Sequence, residues 1–229
     1  GNLWLWQPQI RIEQRIALGE QDLLRAQVSF VQTSETSANV PAAFAASLER
    51  YRPGVEGRVE YSHDFGNERR VELAPGFHFS STHVAATSVP SNLAMVDWLI
   101  VPWRPLELTG TAYSGANLAH FGIAGIRQGF TVIGPRNVIS IRARGGWSQL
   151  KIKATSRLSF HLFSGWHDDR NSDLRAGGIG RNLALGANFF YRLAPNLIMS
   201  FETLQLRTTY LGVGNRLNNH YDLAFAYLF

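Results

Sequence analysis

Apolar and polar residues alternate at every second position along most of this 229-residue chain. That period belongs to β-strands with two different faces, because successive strand side chains point to opposite sides. From Asn182 to Leu193, one face holds Leu183, Leu185, Ala187, Phe189, Tyr191 and Leu193. The other holds Asn182, Ala184, Gly186, Asn188, Phe190 and Arg192. Leu158, Phe160, Leu162 and Trp166 oppose Ser159, His161, Phe163 and His167 in the same way. Leu24 to Phe30, Val55 to Ser62, Arg70 to Phe79 and Leu106 to Tyr113 repeat the pattern. Helical periodicity is nearly absent, so an all-β fold is expected.

Three segments do not keep simple time. In Val138 to Ala154 the apolar set Ile139, Ile141, Ala143 passes to Leu150, Ile152, Ala154, which predicts a bulge near Gly145-Gly146. Leu197, Met199 and Phe201 similarly pass to Leu204 and Leu206. Asn92 to Pro102 is apolar on both faces except at Asp97.

The connections sort into two sets. Gly19-Glu20-Gln21, Asp64 to Asn67, Trp103-Arg104-Pro105, Thr155-Ser156 and Ala194-Pro195-Asn196 are tight. Gln32 to Pro53, Ser81 to Ser91, Gly115 to Asn137, Asp168 to Arg175 and Gly212 to Asn219 are long, and the two sets alternate. Membrane barrels have short turns on one side and long loops on the other. Counting back from Phe229 gives about eleven strands beginning near Gln9, one short of an even number. About twelve strands are therefore expected, or more if strands precede the chain, and Gly1 to Trp6 looks like a loop or strand edge. Pro41 to Arg50 fits a short helix, and Gly125 to Val132 fits a strand that would upset the parity.

The terminal strand carries the same alternation to its end. Tyr221, Leu223, Phe225, Tyr227 and Phe229 form an aromatic and aliphatic face opposite His220, Asp222, Ala224, Ala226 and Leu228. This pattern resembles the C-terminal strand signature of Gram-negative outer-membrane β-barrel proteins. The stretch from Val138 to Phe229 is also similar to the C-terminal part of bacterial porin-like proteins, through Gly145 to Lys151 and the strand-turn-strand from Phe189 to Arg207. The resemblance implies a transmembrane antiparallel up-and-down β-barrel in a bacterial outer membrane, occupying the whole chain as one domain. It implies that Tyr221, Leu223, Phe225, Tyr227 and Phe229 form a signal read by the barrel-assembly machinery. It carries over no catalytic residues.

Composition fits this reading. No run of about 18 apolar residues marks a transmembrane helix. A mean hydropathy of -0.10 is ordinary for strands that hide their apolar half by alternation. Cysteine is absent, which excludes disulfides and thiolate metal sites. The net charge is +5, but arginine and lysine are scattered singly among acids. Nucleic acid is therefore not an expected partner. The expected partners are outer-membrane lipid and lipopolysaccharide, the assembly machinery, and further copies of the chain in a homo-oligomer. The chain does not begin with a signal peptide, which an outer-membrane protein needs, so the numbering is expected to start after cleavage or inside a longer protein.

The polar face suggests the chemistry. Arg58, Arg192 and Glu202 are placed in the lumen. So is the dense basic ladder Arg142, Arg144, Lys151 and Lys153. Arg127 sits in the loop Gly115 to Asn137, which together with Gln32 to Pro53 is a candidate for narrowing a pore. Two readings stay open: the ladder lines a water-filled lumen and favours anions, or it is paired with acids and fills the barrel. Trp98, Trp103, Trp166, Tyr61, Tyr191, Tyr210 and Tyr227 suit interfacial girdles. Ser159 and His161 are expected to sit too far apart, about 7 Å, to act as a nucleophile-base pair. No cofactor or metal site is expected, and His167-Asp168-Asp169 with Asp173 reads as a solvated loop. The function expected is passive diffusion of small hydrophilic solutes with a weak anion preference. A plugged barrel serving as an envelope anchor is the alternative, and a soluble carbohydrate-binding domain a third reading.

Overall fold

The computed structural model describes residues 7–35, 40–122 and 128–229. Eleven strands form one antiparallel meander. They are β1 (Gln9–Ala17), β2 (Asp22–Ser34), β3 (Tyr51–Gly66), β4 (Arg69–Val84), β5 (Thr87–Trp103), β6 (Leu106–Ala116), β9 (Arg142–Lys153), β10 (Leu158–Asp169), β11 (Ile179–Ala194), β12 (Leu197–Tyr210) and β13 (Gly214–Tyr227). Between β6 and β9, β7 (Phe130–Gly134) and β8 (Asn137–Ser140) make a separate hairpin. The strand expected in Gly125 to Val132 thus lies slightly later and outside the wall, where it leaves the parity intact. A one-turn helix α1 (Ala42–Ala45) stands in the predicted helical stretch.

The alternation produces two chemically different faces. Ile10, Ile12, Phe30, Val59, Phe77, Phe79, Phe160, Leu162, Phe201, Leu223 and Phe225 are all exposed on one of them. So large an exposed apolar surface would aggregate in water, and it is what a lipid-facing barrel wall requires. Among the described residues β1 and β13 each have one strand neighbour, and both are exposed along their whole length.

Two expected phase slips do not occur. β9 pairs with β6 and β10 in unbroken register from Arg142 to Lys153. Arg142 and Arg144 therefore share the outer face with Leu150 and Ile152, while Lys151 and Lys153 point inward. The two glycines answer a different need from a bulge. A Cβ on Gly146 would lie 2.6 Å from the Thr111 carbonyl oxygen, and one on Gly145 would meet the Tyr113 hydroxyl. They permit close cross-strand approach. β12 likewise keeps step from Arg181↔Thr209 to Arg192↔Ile198. Leu204 and Leu206 face inward with Glu202, and Thr203, Gln205 and Arg207 face outward.

Two connections expected to be long are tight. β4 passes to β5 through Ala85 and Ala86, both left-handed at φ 51° and 58°. Such a turn matches strand twist, but a non-glycine residue there costs about 1–2 kcal/mol. Burial of Ala85 against Val84, Val89 and Phe130 offsets that cost. β12 passes to β13 through Gly212 and Gly214, at φ 75° and 107°.

Candidate functional site: the inner wall and the loop that crosses it

The inner face is built from β-strand positions of one parity. Arg25 lies 3.5 Å from Glu60, which also holds Arg58. Arg58 reaches on to Asp97 at 3.4 Å. That contact crosses β4, where Ala74 and Gly76 present almost no side chain between β3 and β5. Thr111 donates to the other Asp97 oxygen at 2.6 Å. The result is a polar chain across β2, β3, β5 and β6. Nearer the end with the tight turns, Lys151 stands 3.6 Å from Glu107 and Arg70 stands 3.1 Å from Glu72.

A loop lies against this wall. After β6 the chain enters a 3-10 turn at Ala119–Phe121, and Phe121 packs with Leu118 on Leu93 and Ala143 of the inner face. The Phe121 ring meets His78 edge-on at 4.6 Å. Asn117 donates to Glu35 at 3.2 Å, and Glu35 receives Arg52 at 3.4 Å in an ion pair whose side chains are 2% and 0% exposed. Farther along, Gln128 donates to Asp169 and to the Ile179 carbonyl, both at 2.6 Å. Thr131 donates to the Asp173 carbonyl at 2.9 Å. One segment is thus tied to β2 and β3 at one end and to β10 and β11 at the other. Phe130 and Val132 are fully buried with Leu48 of the loop between β2 and β3, so the two candidate loops meet.

Burial governs the electrostatics here. His120 Nε2 lies 3.3 Å from Ser91 Oγ, and its Nδ1 has no partner among the described residues. Desolvation, reinforced by neighbouring His78, pulls its pKa down to about 3. In the loop after β10, hydrogen bonds from Arg142 hold the Asp173 carboxyl down at about 2.

The predicted site residues divide between the faces. Arg58, Lys151, Lys153, Arg192 and Glu202 face inward, and Glu202 accepts from Asn188 at 2.9 Å. Arg142 and Arg144 face outward and do not join the lysines. Arg127 lies outside the described residues. Tyr221, Leu223, Phe225 and Tyr227 form the outer face of β13, each more than 60% exposed. Phe229 follows β13 at the chain end. Ser159 Oγ and His161 Nε2 are 3.2 Å apart, nearer than strand spacing predicts, because both side chains lean together on the inner face. Sequence reasoning missed Glu35, Arg52, Asn117 and His120. No spacing signal could link Glu35 to Asn117, which are 82 residues apart.

The geometry has solved counterparts. The outer membrane channel DcaP of Acinetobacter baumannii superposes with a TM-score of 0.78 at 12% identity, over 95% of this chain and 61% of that one. The fold is that of an outer-membrane β-barrel. The chain spans 61% of the length of the DcaP structure it matches. The NanC porin covers 96% of this chain and 93% of its own, with a TM-score of 0.47 and 10% identity. LpxR from Salmonella typhimurium covers 96% and 88%, with a TM-score of 0.30 and 9% identity. No family model matches the sequence, and no curated protein matches it by sequence.

Proposed function

We propose that this chain forms the wall of a porin-like channel in a bacterial outer membrane, through which small hydrophilic solutes diffuse passively with a weak preference for anions. The unpaired cations of the inner face carry this reading. Arg25, Arg58, Arg70 and Lys151 have acidic partners. Arg11, Lys153 and Arg192 have none among the described residues. These three cations are free to meet a solute, and such charges favour anions, whereas inward-facing Glu202, held only by Asn188, works against them. A cavity of about 310 Å³ between the inner wall and Phe121, lined also by Arg11, Gln27, Arg58 and His78, leaves room for water beside the loop. DcaP, which shares the fold, is itself an outer membrane channel.

Planar-bilayer recording with a salt gradient tests the proposal. The expected result is discrete conductance steps and a reversal potential displaced toward anions. Steps with a firm cation preference remove the selectivity claim. No conductance from a folded barrel removes the channel itself. That last outcome favours the second reading, a plugged barrel anchoring other envelope components. The continuous Arg25–Glu60–Arg58–Asp97–Thr111 chain supports it, because a filled barrel needs polar networks that pair its charges.

A further inference from the structure

The outer face carries a basic cluster that the channel reading does not use. Arg144, the second outward residue of β9, lies across from Asp168 of β10 at 3.2 Å. Its guanidinium sits 6.0 Å from the Trp166 ring centroid, where the apolar belt ends. Arg142 is clamped by Nε and Nη2 on Asp173, at 2.8 and 2.7 Å. Asp173 is buried and turned away, yet the Arg142 side chain remains 53% exposed. Arg181 pairs in register with Asp168 from the far side, and Arg170 follows directly on β10. Neither has an acidic partner among the described residues. Four arginines against two aspartates leave an excess of two positive charges on a surface that otherwise meets hydrocarbon.

Arginine in that position is costly unless its head reaches the interface and finds an anion. The space for one is present. A cavity of about 550 Å³ opens between Arg142, Arg144, Arg170, Asp168, Asn92 and Ser114. It lies at the end of the wall that bears the loops around α1 and β7–β8, the outer-leaflet side in barrels of this kind. The aspartates hold two guanidiniums in fixed orientations. That arrangement suits the tetrahedral oxygens of a phosphate, which arginine engages through paired donors.

We propose that Arg142, Arg144, Arg170 and Arg181 bind the phosphate of an outer-leaflet glycolipid, whose acyl chains lie down the apolar face beside Trp166. The site stands whether or not the lumen conducts, and it rests only on the outer face meeting lipid.

The test is native mass spectrometry of the full chain folded in detergent. The probes are a diphosphorylated glucosamine lipid and the same lipid with its phosphates removed. The protein should retain the phosphorylated lipid at least about tenfold better, since each interfacial arginine adds attraction for anionic lipid. The variant Arg144→Gln/Arg170→Gln/Arg181→Gln, which keeps the Arg142 clamp on Asp173, should lose that preference. Ser114→Asp should lose it with all four arginines intact, so a folding defect in the first variant cannot imitate the result. Heat-dependent gel mobility reports folding of each. Equal retention of both lipids, or undiminished preference in both variants, overturns the proposal. Displacement of the lipid by an equal concentration of inorganic phosphate would make a soluble phosphate the ligand and overturn the lipid assignment.

Discussion

The wall from β3 to β9 and the wall from β11 to β13 follow the same alternation, yet they differ in what covers their inner faces. In the first, His78, Leu93 and Ala143 are buried beneath Leu118, His120 and Phe121. In the second, β13 is exposed on both faces, and its His220–Asp222 pair is 61% and 53% exposed. Period-two patterning therefore builds a wall but does not by itself build a core. The core is supplied by chain that leaves the wall between β6 and β9 and returns across the inner face.

Removing a buried charge from the covered half should have the largest effect. Glu35→Ala strands Arg52 inside the covered half, with Nε and Nη1 already lacking protein partners. Removing one partner of a buried pair costs about 3–5 kcal/mol, and urea unfolding in lipid vesicles should read a loss of that size. Phe130→Ala empties a fully buried position at the β7 end of the loop. It should cost about 3 kcal/mol, the low end for a buried aromatic, because a hairpin outside the wall can partly collapse. Hydrogen exchange should then rise in β7 and β8 and stay unchanged in β11 to β13.

Acid should sharpen the contrast by a smaller step. His120 titrates at about 3 when the loop is docked and near 6.5 when it is free. The neutral form favours docking, so docking is at full strength above the free value. It weakens as pH falls from about 6.5 toward 3, by about tenfold in the open population per pH unit. Hydrogen exchange of residues 117–122 across that range measures it, and His120→Leu should flatten the profile. Smallest of all, His220→Ala in the bare half should change stability by less than about 0.5 kcal/mol, because its ion pair is solvated.

How much was legible follows from what alternation encodes. Asn182 to Leu193 and Tyr221 to Tyr227 could be assigned to faces residue by residue, since regular strands leave no freedom once phase is known. Phase failed in β9, where Gly145 and Gly146 suggested a bulge although they serve close approach to β6. It failed in β12 because Leu204 and Leu206 face inward, an apolar patch that the expected charged lumen did not predict. Ala85-Ala86 resembles no turn, since burial rather than glycine stabilises it. The contact between Glu35 and Asn117 depends on loops from distant strands meeting in space, and no local pattern records it.

The account rests on water meeting one face of these strands and hydrocarbon the other. The chain has no cysteine, so single cysteines can be placed along Asn182 to Leu193 and spin-labelled in lipid vesicles. Accessibility to oxygen should peak at Leu183, Leu185, Ala187, Phe189 and Tyr191, and accessibility to a water-soluble nickel chelate at Ala184, Gly186, Asn188 and Phe190. Equal nickel accessibility at both sets would contradict the account.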